Sequence, residues 1–302
     1  MPQESAVSPD AWVRSSNGGT PSGTPLTDLG PKKREPEKEG ADVLGALGAF
    51  LRQTLAVAEA DVRKLRHDPT ELVTRAVQPT LWLLVFGEVM GRLRGVPTGN
   101  MSYQSFMAPG ILAQSVLFIA IFYGISVIWE RDMGILHKFM VSPAPRVALV
   151  LGKALSAGVR GLTQATIIYV LALAVGIQAR FSPLAILGVL ISTLLGAAIF
   201  STFSLVVACL VKTRDRMMGI GQVLTMPLFF ASNAIYPLAL MPTWLQVVSR
   251  VNPLSYQVDL LRTLMIRGGQ SVFGLGVDFA VQVGMLAVLV ALASGLYPRI
   301  VT

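Results

Sequence analysis

The chain has 302 residues, 53% of them hydrophobic and 14% charged, with a mean hydropathy of +0.60. Soluble domains carry about 25% charged residues, so an ordinary water-soluble enzyme is excluded. Disorder over most of the length is excluded too, because it requires few apolar residues. The net charge of +8 does not indicate nucleic acid. Its Lys and Arg residues sit between apolar segments, where membrane proteins place their cytoplasmic charge. The single Cys209 and the two distant histidines, His67 and His137, provide neither an internal disulfide nor metal-ligand spacing.

Residues 1–40 are rich in Pro, Ser, Gly and Thr and end in the charged run PKKREPEKEG. Such a composition buries nothing and reads as a flexible cytoplasmic tail, without the apolar h-region of a signal peptide. From residue 41 the character changes. Leu44, Leu47, Leu51, Leu55, Ala58, Val62 and Leu65 recur at steps of three and four, opposite Asp42, Arg52, Glu59, Arg63, Lys64 and Arg66. This is an amphipathic helix, which Pro69 stops. Segment 41–70 is therefore expected to lie on the membrane surface, ahead of a membrane domain over 71–302. Packing of the same helix on a neighbouring protein is the alternative.

A helix needs about 20 apolar residues to cross the hydrocarbon core. No Asp, Glu, Lys or Arg occurs in 95–129, 161–179, 181–211, 217–249 or 279–298. These stretches predict spans centred near 105–128, 157–177, 184–209, 218–237 and 278–297. A weaker first span over 74–94 contains Glu88, so the expectation is an all-α protein of six transmembrane helices. With the N-terminus inside, Arg63, Lys64, Arg66, Arg75, Arg131, Lys138, Arg146, Lys153, Arg160, Lys212, Arg214, Arg216 and Arg299 fall on the cytoplasmic side. Arg92, Arg94, Arg180, Arg250, Arg262 and Arg267 fall outside. The excess of positive charge inside places both termini in the cytoplasm.

Glu88 is the one carboxylate in the interior of a predicted span, which makes it a functional candidate. Arg92, one turn on, offers a plain i,i+4 salt bridge instead. Gly87 and Gly91 form a small-xxx-small pair suited to close helix contact. No GxxxxGK[ST] loop occurs, so the chain has no phosphate cradle of its own. The tetrapeptide Arg267-Gly268-Gly269-Gln270 only superficially echoes a nucleotide-binding signature and reads as a turn.

The informative inner loop is Ile128–Lys153, IWERDMGILHKFMVSPAPRVALVLGK. It opens with Glu130-Arg131-Asp132. Met133, Ile135, Leu136, Phe139 and Met140 then give an apolar face to a short helix, which Pro143 and Pro145 end. Arg146 and Lys153 return the chain to the membrane. Such a helix can dock in another protein's groove, with an interfacial turn as the alternative. Glu130 is expected to cap its N-terminus, and Gly134 to allow close approach of a partner.

On the outer side, Pro237, Pro242 and Pro253 interrupt helices, while Trp244, Leu245, Val247 and Val248 are too apolar to lie free in water. Short re-entrant half-helices with protein-buried backbone satisfy both facts, and a folded outer cap is the alternative.

These two segments resemble the type-2 permeases of ATP-binding-cassette exporters, of the daunorubicin-resistance kind. In the inner loop Glu130, Gly134, Pro143, Arg146, Gly152 and Lys153 match the family's pattern. In the outer segment Tyr236-Pro237, Leu240-x-Pro242-x-Trp244-Leu245, Asn252-Pro253-Leu254-x-Tyr256 and Asp259-x-x-Arg262 match. The loop departs from it at His137-Lys138, where many members carry an acidic residue. The resemblance covers 41–302 and leaves the first 40 residues unmatched.

It implies a plasma-membrane exporter subunit that is not itself an enzyme. Such a subunit works as a homodimer or a heterodimer with a paralogue, together with two copies of a separate cassette ATPase. ATP and magnesium are then expected on that ATPase, and no cofactor or metal on this chain. Glu130, Arg131, Asp132, Gly134, Leu136, Phe139, Pro143, Arg146 and Lys153 would form the ATPase-docking loop. The implied cargo is an amphipathic or hydrophobic drug, antibiotic or lipid, with a glycan exporter as the runner-up. A secondary transporter would instead show mid-span coupling residues and inverted repeats, and an intramembrane enzyme would need a catalytic set within the spans.

Overall fold

The computed structural model describes residues 48–49, 52, 55–56, 59, 74, 77–93, 96, 98, 101–134, 146–211 and 213–297. All of them fall in one compact unit, Leu44–Thr302. Most of the predicted amphipathic helix, the 1–40 tail, and Leu136, Phe139 and Pro143 of the inner loop lie outside the described residues. Of the amphipathic segment, Gly48, Ala49, Arg52, Leu55, Ala56 and Glu59 have helical backbone, and Arg52, Leu55, Ala56 and Glu59 are exposed.

Among the described residues the secondary structure is helical, save for one isolated antiparallel bridge between Ala179 and Ile266. Helix α1 (77–93) contains a π-helical stretch, Trp82–Phe86, before its last turns at Gly87–Leu93. Then follow α2 (Tyr103–Asp132), α3 (Arg146–Ala174), α4 (Pro183–Leu210) and α5 (Arg214–Phe230). Two short helices, α6 (Thr243–Val251) and α7 (Pro253–Met265), precede α8 (Leu275–Leu296).

Four of these, α2, α3, α4 and α8, are long and apolar enough to cross a membrane. Helix α5, where a fifth span is expected over 218–237, is only 17 residues long. It carries Pro227 internally and stops at Phe230, where the chain turns through buried Ser232, Asn233 and Ala234.

Helices α2 and α4 form the centre. Helix α4 packs on α2, α3, α7 and α8, and α2 also contacts α1, α5 and α7. Met107, Ala108, Ile111, Leu112, Ala113, Val116 and Leu117 of α2 are all fully buried. A helix that is apolar all round is stable only when neighbours or lipid cover every face. Around it, Trp82 and Phe86 of α1 and Phe229 of α5 close the cluster with tilted and edge-on ring contacts at 5.1–6.0 Å. Close approach is built into the centre as well. A Cβ at Gly196 would collide with the side chain of Gln257, so α7 lies directly on α4 there.

Candidate functional site: the inner helix ends and the outer segment

Sequence periodicity places Glu130 at the start of a separate docking helix. It lies instead in the last turn of α2, which continues to Asp132. A carboxylate at a helix C-terminus is unfavourable for the helix dipole. Lys153 of α3 offsets this: its Nζ lies 2.8 Å from Glu130 Oε2 and donates to Oε1 at 2.9 Å. Glu130 and Lys153 are 5% and 6% exposed. The Lys153 ammonium also sits 5.7 Å from the centre of the Tyr123 ring, and the Arg160 guanidinium sits 5.3 Å from it. The Tyr123 hydroxyl donates to Ser156 at 3.4 Å. Two expected loop residues therefore form a buried clamp between α2 and α3.

The next residues face outward. Asp132 accepts from Arg131 and, across the bundle, from Arg214 Nη2 at 3.0 Å. The Arg214 guanidinium lies 3.8 Å over the exposed ring of Trp129. This contact joins the C-terminal end of α2 to the first residue of α5. Met133 N–H donates to the Trp129 carbonyl and Gly134 N–H to that of Arg131, with Gly134 at φ +70°. Gly134 is thus the left-handed residue that ends α2, a position glycine fills at no steric cost. Arg146, at the start of α3, is exposed.

In the outer segment the matched residues are mostly joints. Pro237 precedes a 3-10 turn at Leu238–Leu240, and Pro242 precedes α6. The Tyr236 hydroxyl donates to the Phe230 carbonyl. Asn252 lies between the two short helices. Its Oδ1 accepts from Leu254 N–H at 3.0 Å, capping α7, while its Nδ2 donates to the Leu228 carbonyl at 2.6 Å. Pro253 takes the first position of α7, where its missing N–H costs nothing. Arg262 is buried and donates to the carbonyls of Asn233 (2.7 Å) and Phe106 (3.3 Å), with its guanidinium 3.9 Å over the Phe106 ring. Asp259 Oδ2 accepts from the N–H groups of Val272 (2.7 Å) and Phe273 (3.1 Å) and from the Ser271 hydroxyl (2.9 Å). In contrast, Trp244 of α6 is 68% exposed, beside exposed Val247, Val248 and Val251.

Glu88 is half-exposed. It accepts from Arg92 Nε at 2.9 Å and from Gln104 Nε2 at 3.0 Å. The i,i+4 salt bridge is formed, and Gln104 extends it to α2. Gly87 faces the side chain of Gln104 as well. The Arg267–Gln270 stretch is a turn, pinned where Arg267 N–H donates to the Gln178 carbonyl.

Sequence reasoning missed four participants. Arg214 and Trp129 were visible only as a flanking charge and an apolar residue. Asp278 and Ser271 join Asp259 from across the α7–α8 connection, with the Ser271 hydroxyl 2.9 Å from Asp278 Oδ2. The acidic residue in the first turn of the last span was the available signal, since a carboxylate there suits the helix dipole.

Comparison with known proteins identifies the family. The family model described as "ABC-2 type transporter" matches residues 52–266. The chain is 29% identical over 217 residues to the transport permease ycf38 of Cyanophora paradoxa, covering 71% of this chain and 74% of that one. It is 25% identical over 232 residues to the daunorubicin resistance ABC transporter permease protein DrrB1 of Streptomyces coeruleorubidus, covering 77% and 81%. It is also 29% identical over 223 residues to nodulation protein J of Rhizobium leguminosarum bv. trifolii, covering 73% and 81%. Membrane subunits of this kind are generally non-catalytic and associate with a separate ATP-binding-cassette subunit. A match of this extent, over a helical bundle with four membrane-length apolar helices, makes the chain a multi-pass membrane protein that belongs to the ABC-2 type transporter family.

Proposed function

We propose that the chain is the membrane subunit of an exporter that moves an amphipathic or hydrophobic cargo outward, driven by ATP hydrolysed on two separate cassette subunits. ATP and magnesium belong to those subunits, and this chain pairs with a second copy or a paralogue. The observation that carries the reading, beyond family membership, is the mounting of the inner connection. Segment 135–145 leaves from the end of α2 and returns at the start of α3. The buried Glu130–Lys153 pair locks these two helix ends together, and Asp132–Arg214 ties the same end to α5. A force applied to the connection therefore reaches three helices at once. The docking role of Glu130, Arg131, Asp132, Gly134, Leu136, Phe139, Pro143, Arg146 and Lys153 rests on this mounting.

In this reading α1 and α5 supply the fifth and sixth spans. Each has 17 described residues, about 26 Å at 1.5 Å per residue, close to a hydrocarbon core of about 30 Å. Segment 41–70 lies on the inner surface of the plasma membrane and the first 40 residues form a cytoplasmic tail, with both termini in the cytoplasm. Helices α6 and α7, at 9 and 13 residues, are too short to cross and act as outer re-entrant half-helices. The bonds of Asn252, Asp259 and Arg262 supply the protein-bound partners that non-spanning backbone needs at that depth. The daunorubicin-resistance relative supports a drug-like cargo.

The test is reconstitution of the chain with a cassette ATPase that co-purifies with it, and measurement of ATP hydrolysis against drugs, lipids and glycans. Stimulation by amphipathic drugs or lipids is expected. Stimulation by glycans alone would reassign the cargo. A chain that transports without any ATPase would overturn the reading.

A further inference from the structure

A cleft of about 310 Å³ opens between Thr74, Gln78 and Pro79, the middle of α2 and α3. Gln114 and Gln164 line it, from α2 and α3 respectively, at 4% and 2% exposure. The side-chain amide nitrogen of each has no hydrogen-bond partner among the described residues. An amide nitrogen carries two N–H donors, and buried donors in native proteins are partnered. Gln114 is the twelfth residue of the 30-residue α2, about 17 Å from the start of the helix at 1.5 Å per residue. With α2 crossing the membrane, that depth lies within the hydrocarbon core, where a partner has to come from protein, a bound molecule or water held in the cleft. Two orphaned donors in the wall of one cleft mark a place for acceptor oxygens.

The apolar wall gives the rest of the shape. Phe118 and Phe122, one turn apart on α2, stack at 18° with ring centres 6.0 Å apart, and both line the cleft. A second cleft of about 380 Å³ shares Phe122 and Ile119 and runs on to Trp129, near the inner end of α2. The two clefts follow one another along the helix, with amide donors at mid-height, aromatic surface below them, and Glu130 and Arg160 at the inner end.

The geometry points to a binding site for an elongated amphipathic molecule, whose carbonyl or ester oxygens accept from Gln114 and Gln164 and whose flat apolar part lies on Phe118 and Phe122. The site deepens the exporter reading, on which it rests only for the idea that cargo is one source of such a molecule. A membrane phospholipid, through its ester carbonyls, is the other source with the same chemistry.

The test uses the full-length chain purified in detergent micelles, with two probes: a fluorescent anthracycline bearing keto groups, and a nitrobenzoxadiazole-labelled phosphatidylglycerol. At least one probe is expected to bind saturably. Gln114→Leu and Gln164→Leu should each weaken it about tenfold, the loss expected of one hydrogen bond in a dry site. Both substitutions remove an orphaned donor, so the variants should fold; an unchanged helical signal and elution profile check this. Val170→Ala, at an exposed position on α3, should bind like the parent. Displacement of the anthracycline by unlabelled phospholipid assigns the cleft to lipid, and resistance to it assigns the cleft to cargo.

Binding of neither probe, or equal binding by parent and both glutamine variants, would overturn the site. So would efficient cross-linking of two copies through a cysteine placed at Phe118, because a second copy would then fill the cleft. Co-purification with the cassette ATPase is scored separately. Lost probe binding with the ATPase still attached sinks the cleft and leaves the transporter reading standing.

Discussion

At the scale of single residues, the inner clamp has the sharpest consequences. Removing one partner of a buried ion pair leaves the other charge unpaired, at a cost of about 3–5 kcal/mol. Glu130→Gln and Lys153→Met are each expected to lower the thermal unfolding midpoint of the purified chain strongly. The double variant Glu130→Leu/Lys153→Met should recover most of the loss, because a matched apolar pair needs no counter-charge. If the double variant is as unstable as the sum of the singles, the pair is not the clamp. Substitution of Glu130 therefore tests stability before it tests coupling. Gly134→Leu separates the two better. It strains one left-handed residue by about 1 kcal/mol, so the chain should still reach the membrane while ATP-driven transport falls.

Asp259 and Asp278 differ in a similar way. The Ser271 hydroxyl has one hydrogen for two carboxylate oxygens, each 2.9 Å away. One of these contacts lacks a donor, and an amide at position 278 would provide it. Asp278→Asn is expected to leave thermal stability unchanged or slightly higher. Asp259→Asn should lower it by about 1–3 kcal/mol, since the carboxylate oxygen held by two backbone N–H groups is weakened or replaced. Equal effects of the two changes would contradict this assignment.

At the scale of elements, the break between α6 and α7 depends on Asn252, which caps one helix and holds the Leu228 carbonyl. Asn252→Ala is expected to cost about 1–2 kcal/mol, read as a lower unfolding midpoint, whereas Trp244→Ala on the exposed face should cost little. The long apolar helices were legible in the sequence. Helix α8 at Leu275–Leu296 differs from the expected 278–297 by a turn at most. The inner extensions were not legible. Helix α3 begins at Arg146, about three turns before the expected 157, because Arg146, Lys153 and Arg160 interrupt the charge-free window used to find spans. A charge ends an apolar run in sequence but need not end a helix when a partner waits on the next one, as Glu130 does for Lys153. For the same reason Glu130 reads as a loop residue until α3 is seen beside it. The outer joints Pro237, Pro242 and Asn252-Pro253 were readable locally, because proline and asparagine act on their own backbone. The Asp259–Ser271–Asp278 cluster was not, since it joins residues 12 and 19 positions from Asp259.

At the scale of the whole molecule, positive charge sets the topology to be tested. Cysteines introduced near Lys138 and Arg214 should be labelled only from the cytoplasmic side, and those near Arg94, Arg180 and Arg250 only from outside. Labelling at Lys138 from outside would invert the arrangement. The bundle also explains why α2 tolerates so few polar contacts to water. It is covered by α1, α3, α4, α5 and α7, so a polar side chain such as Gln114 must find its partner within the protein or in a bound molecule.

The π-helical stretch at Trp82–Phe86 has a consequence for the length of the chain itself. Gly87 N–H donates to the Trp82 carbonyl five residues back, in place of the usual four. A wide turn of this kind is an α-helix that has accepted one additional residue. Deleting exposed Leu84 should close the turn to ordinary α geometry and leave both flanks of α1 facing as before. The same deletion in the middle of α4 would rotate everything after it by about 100° and scramble its four packed faces. A one-residue gap is therefore tolerable in the first helix and ruinous in the fourth, and screening single-codon deletions along the chain for membrane-integrated protein would display that contrast.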